Sequence, residues 1–220
     1  MNVGPSADLK ARVLEAARAR PSKARRRGSV GVLVPYVVAA LVTAAILEVS
    51  GGARHADGRP APMGAAVAIG SLLFAALATM LTTRRRSMLG PRSALLWTVV
   101  IATPLALAAW TIAWHVSYVD PFERLGVRCF ALSMLSAPWI MGALINARRT
   151  LDPVHPRLFG AALGTVAGAW AGVMVVLWCP LADPGHVVRG HVTPFIVLAL
   201  AGAWFGQRVF AVRRDDDASR

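Results

Sequence analysis

Two cysteines, Cys129 and Cys179, are the only thiols in a chain of 220 residues. Thiolate and imidazole are the ligand types that hold zinc and related soft or borderline metals. A thiol pair can also lose two electrons and two protons to an oxidant and close into a disulfide, provided the Cα atoms come within about 4.4–6.8 Å. Two histidines follow the second cysteine closely in sequence, His186 and His191, and two more, His55 and His115, fall in segments that would share its side of the molecule. A single cysteine in an apolar helix is commonly just a small apolar residue. Two, at matched depth and with imidazoles nearby, point to redox or metal chemistry.

The elements that must position these groups are apolar helices. Hydrophobic residues make up 56% of the chain and charged residues 16%, against about 45–50% and about 25% in soluble domains. Six runs approach the roughly 17–25 residues a membrane-crossing helix needs: Val30–Val49, Met63–Thr82, Ala94–His115, Gly126–Asn146, Leu158–Cys179 and His191–Phe210. The expected fold is therefore all-α, a polytopic membrane protein of six transmembrane helices. Cys129 opens the fourth run and Cys179 closes the fifth. Consecutive spans run in opposite directions, so the two thiols are expected at one mouth of the bundle.

Charge sets the expected orientation. The net charge is +13, and 19 of the 24 Lys and Arg lie in the N-terminal segment, the second and fourth loops and the tail. Basic loops stay cytoplasmic, so both termini are expected inside and the cysteines outside. The same basic runs flank spans, which explains them as orientation signals and argues against direct nucleic-acid binding. The bilayer is an expected partner. Mid-span Asp, Glu, Lys and Arg are missing from these runs, which weighs against an ion-coupled transporter, although a small transporter or exporter is the alternative reading. No GxSxG, HExxH or CxxCH motif occurs, and no enzyme is expected.

Three domains follow: residues 1–29, a cytoplasmic N-terminal segment; 30–210, the six-helix sensor domain; and 211–220, a tail. Within the first, SADLKARVLEAARAR (6–20) reads as a short helix whose Leu9, Val13, Ala16 and Ala17 share one face, with Leu14 beside it. Such a stripe can lie on a membrane surface or dock in a partner's groove. In the fifth span Gly160, Gly164, Gly168 and Gly172 recur every four residues, a stripe along which a neighbouring backbone can approach closely.

The chain resembles the NrsF-type membrane anti-sigma factors. The resemblance rests on GVRCFALSMLSAPW, RLFGAALGTVAGAWAGVMVVLWCP, HVVRGHVTPF and GAWFGQRVF, and on LKARVLEAARARPS near the start. It implies a membrane-bound protein whose N-terminal segment, through residues such as Leu9, Val13, Leu14 and Ala17, sequesters an extracytoplasmic-function sigma factor. It further implies release of that factor on heavy-metal or oxidative stress sensed through Cys129 and Cys179. His186 and His191 join them as candidate metal ligands on position alone. No cofactor is certain; a metal ion at the Cys/His cluster is the candidate.

Overall fold

The computed structural model describes residues 22–51, 60–83, 91–114, 126–148, 153–179, 181 and 183–210, with side chains of the first helix described from residue 34 onward. Leu9, Val13, Leu14 and Ala17, which are expected to dock a sigma factor, the tail, and His55 and His115 lie outside the described residues. Six helices account for nearly all of what is described: α1 Ser22–Val49, α2 Ala61–Thr83, α3 Ser93–Ala113, α4 Val127–Arg148, α5 Pro156–Trp178 and α6 Pro184–Phe210. Among the described residues there is no strand. Helices α2 to α6 are each long and apolar enough to cross a membrane. In α1 the apolar stretch with described side chains is Val34–Val49.

The boundaries depart from the sequence expectation in two places. Helix α1 begins eight residues before Val30, because the basic run Lys23–Arg27 is made of good helix formers and carries the helix past its apolar part. Helix α6 begins at Pro184 rather than His191. Asp183 precedes it and accepts the backbone N–H of His186 through Oδ2 at 3.1 Å, and proline suits the first helical position, where its missing N–H costs nothing.

Helix α5 is the axis of the bundle. Of its most apolar stretch 83% is buried, against 28–39% in α2, α3, α4 and α6. It packs on α6 above all, and also on α4, α2 and α3. In hydrocarbon no hydrophobic force draws apolar helices together, so van der Waals fit must do it. The glycine stripe supplies that fit. A Cβ added at Gly160 would strike the Gly202 carbonyl, and one at Gly164 the Leu198 carbonyl. From the other side, a Cβ at Gly202 or Gly206 would run into Gly160 or Pro156 backbone. The contact opens further along. A Cβ at Gly168 would meet the Phe195 ring at 3.0 Å and one at Gly172 only the ring tip at 3.9 Å, so α5 and α6 diverge toward the end that carries the cysteines. At the tight end Arg157 Nε donates to Gln207 Oε1 at 2.7 Å and Phe159 stacks edge-on with Phe210.

Polar groups inside the helices are mostly satisfied locally, as a medium without water requires. Thr43, Thr79, Thr82, Thr111 and Thr165 each donate to the carbonyl four residues back. Leu73, Leu77, Ile101, Leu105, Leu135 and Leu200 are exposed, which makes an apolar outer wall.

Candidate metal and thiol centre

Cys129 sits in the first turn of α4, and Cys179 one residue past the end of α5. Both are buried and neither is in a disulfide. His186 comes from the first turn of α6 and reaches between them: its Nε2 stands 3.4 Å from Cys129 Sγ and 3.4 Å from Cys179 Sγ. His191 completes the group, with its ring centroid 5.5 Å from that of His186. The ligand atoms of Cys129, Cys179, His186 and His191 all lie within 4.8 Å of one another, and all four residues are buried. The four residues singled out in the sequence thus form one cluster. His155 starts α5 at the opposite end and takes no part.

Three local features put the side chains there. Gly126 has φ +77, a conformation that favours glycine, and turns the chain into α4. Gly126 and Gly190 press backbone to backbone: a Cβ on Gly190 would stand 2.9 Å from the Gly126 carbonyl and 3.1 Å from Cys129 Cβ. Side chains on either glycine would push α4 and Cys129 away from α6. The third feature is a widened, π-helical turn over Val188–Val192. The N–H of Thr193 bonds the carbonyl of Val188 instead of the residue four back, and the Thr193 hydroxyl bonds the same oxygen at 3.0 Å. Pro194 follows directly; it has no N–H to give, and its ring clashes with the carbonyl four residues earlier. The extra residue in this turn shifts His191 about the helix axis relative to His186, and π turns of this kind recur at functional sites.

The group suits a soft or borderline cation. His191 Nε2 is buried with no hydrogen-bond partner, an atom that a metal or water would satisfy. Tetrahedral bonds of about 2.3 Å to sulfur set two such sulfurs about 3.8 Å apart. The ligand atoms, which lie within 4.8 Å of one another, would draw together on taking an ion. The Cys179 thiol is held far below the usual thiol range. Its hydrogen bond with Cys129 is the largest cause; burial opposes it, and His186 and His191 reinforce it.

Around the cluster, Met174, Val175 and Trp178 form a small core against which Ile46, Leu47, Leu132 and Leu181 pack. Trp178 Nε1 donates to the carbonyl of Ser50 at 2.9 Å, so the residue before Cys179 grips the end of α1. The sequence pattern gives Trp178 no such role. Its adjacency to Cys179 is the one signal that could have raised it.

Together the described residues form a helical, membrane-type bundle with a buried two-cysteine, two-histidine cluster at one end. Residues 13–211 match the family model described as NrsF, negative regulator of sigma F, and the chain belongs to that family. It therefore stands among regulators and not with enzymes. A probable anti-sigma-F factor NrsF from Azospira oryzae (strain ATCC BAA-33 / DSM 13638 / PS) is 29% identical over 109 residues, which cover 46% of this chain and 51% of that protein. The match thus spans about half the length of this curated relative. No solved structure matches.

Proposed function

We propose that this chain is an anti-sigma factor of the bacterial inner membrane, with six spans and both termini in the cytoplasm. It holds an extracytoplasmic-function sigma factor through residues 1–29, with Leu9, Val13, Leu14 and Ala17 as the docking face. It releases that factor when a soft metal ion or an oxidant reaches Cys129 and Cys179 from the periplasmic side. The observation that carries this reading is the convergence of Cys129, Cys179, His186 and His191 within 4.8 Å in a member of a sigma-regulator family.

The cluster ties separate parts of the bundle together. Cys129 belongs to α4, on which α1 packs, whereas Cys179, His186 and His191 belong to the α5–α6 unit. An ion pulling the four ligands inward draws α4 toward α5 and α6. An oxidant joining the two sulfurs, with loss of two protons and two electrons, does the same. Helix α1 rides on α4 and is gripped by Trp178, so either event shifts the helix that leads back to the N-terminal segment. For this to switch binding, the sigma factor must prefer one packing over the other.

The test is co-purification of a tagged candidate sigma factor with the full chain in membranes, with and without cadmium. Wild type should retain the factor and lose it on cadmium addition. The Cys129→Ser, Cys179→Ser double variant should retain it under both conditions, and a chain lacking residues 1–28 should not capture it. Capture by the truncated chain would remove the docking assignment. Normal release from the double variant would remove the thiol switch.

A further inference from the structure

A cavity of about 460 Å³ opens between α1 and α5, walled by Tyr36, Thr43, Leu47, Trp170, Met174 and Leu177 among others. Its volume falls in the range of about 300–1,000 Å³ typical of ligand pockets. It exists because α1 packs along α4 and barely touches α5, and forms no packed seam with α2. A cleft is left between the first two helices, with α5 as its floor. Tyr36 and Leu47 stand eleven residues apart on α1, about 16 Å along the helix axis. That is roughly half the thickness of a bilayer's hydrocarbon core. The cleft is therefore long and narrow and runs with the helices.

The chemistry of the wall selects the occupant. Apart from the Tyr36 hydroxyl at one end, the side-chain polar atoms that line it are paired within the protein. Thr43 Oγ1 donates to the Ala39 carbonyl at 2.7 Å, Trp170 Nε1 donates to Thr79 Oγ1 at 2.9 Å, and Thr79 Oγ1 donates to the Ala75 carbonyl at 2.7 Å. Beyond Tyr36 nothing along the wall solicits a polar ligand, and water needs about 2–4 polar partners to stay. A void of this size would forfeit the close packing that holds a protein interior together. The walls α2, α4 and α5 are membrane-crossing helices by length and composition, so the medium at the opening is hydrocarbon. At the Tyr36 end the charge is positive. Arg148 lies in the last turn of α4, one turn beyond Leu144, which lines the cleft, and Arg25, Arg26 and Arg27 precede Tyr36 on α1. We propose that this cleft binds one acyl chain of an anionic phospholipid, phosphatidylglycerol, with its headgroup at the Tyr36 end, and that this chain spaces α1 from α5.

The assignment is separate from the anti-sigma reading and is tested without a sigma factor. The full chain in nanodiscs is irradiated with phosphatidylglycerol carrying a diazirine at mid-chain, and labelled peptides are mapped. Labelling should concentrate on the stretch of α1 around Thr43 and of α5 around Met174. It should be lost in Ala40→Trp and Ala44→Trp, whose side chains fill the cleft from exposed positions on α1. Unchanged helical circular dichroism and monodisperse elution show that these variants fold. Label spread evenly over outward positions such as Leu73 and Leu77, or undiminished in both tryptophan variants, would overturn the site. Equal labelling by the phosphatidylethanolamine analogue would overturn the headgroup assignment. Preferential labelling by a ubiquinone analogue would overturn the acyl-chain assignment.

Discussion

The indole N–H of Trp178 holds the backbone carbonyl of Ser50 at 2.9 Å, across 128 residues of sequence. Ser50 closes α1, and Trp178 is followed at once by Cys179. The thiol cluster and the first helix are therefore joined by one side chain. Replacing the ring's N–H while keeping its bulk isolates that link. Trp178→Phe should cost about 1 kcal/mol in stability, leave cadmium uptake at the cluster unchanged, and blunt cadmium-dependent release of the sigma factor. A reporter driven by a sigma-dependent promoter, read beside cadmium binding on the same variant, checks this. Full release with normal binding would exclude Trp178 from the transmission route.

His186 shares one nitrogen between two sulfurs. If the cluster takes a metal, His186→Ala removes a ligand and the group that spaces the thiols. Its loss of affinity should exceed the roughly 10–100-fold that outer-shell changes cost. Thiolate-to-cadmium charge-transfer absorption, titrated in wild type, His186→Ala and the double cysteine variant, measures it. The His variant should retain a weakened band and the double variant none.

Gly160 and Gly142 make opposite predictions from the same substitution. Alanine at Gly160 places a methyl group against the Gly202 carbonyl, and α5 must move off α6. Overpacking of this kind costs about 1–3 kcal/mol. Gly142 has nothing within 4 Å of an added Cβ, and alanine there should gain up to about 1 kcal/mol from helix propensity. Thermal unfolding of the two variants in detergent should move Tm in opposite directions.

The N-terminal stripe is tested by charge. A Leu9→Glu, Val13→Glu variant should insert normally and fail to capture the sigma factor. Membrane fractionation and co-purification read the two properties separately. Undiminished capture would move the docking surface elsewhere.

Much of the architecture was legible because membrane helices announce themselves locally. An apolar run of some 20 residues has few alternatives in hydrocarbon, and five of the six expected spans appear as helices long and apolar enough to cross. The glycine stripe was legible for the same reason, since a four-residue spacing fixes one helix face. The sequence pattern did not show where that stripe stops working. Gly160 and Gly164 meet backbone, whereas Gly168 and Gly172 meet only side chains, those of Phe195 and Leu198, and that difference depends on the angle at which α6 crosses. The earlier start of α6 could have been read from the Asp183–Pro184 pair, a capping residue followed by proline.

By itself, the sequence determined which residues are the candidates for chemistry. It has two cysteines and two nearby histidines, placed at helix ends by the alternation of spans. Composition, periodicity and helix polarity are local properties, and they suffice for that. Only the tertiary structure decided that Cys129, Cys179, His186 and His191 meet. Their meeting depends on the close approach of Gly126 and Gly190, on the π turn before Pro194, and on the rotation of α4 against α6. It also decided that Trp178 reaches Ser50 and that α1 stands off α5 across a cleft. These are relations between helices distant in sequence, set by how side chains and backbones fit once the whole bundle has packed.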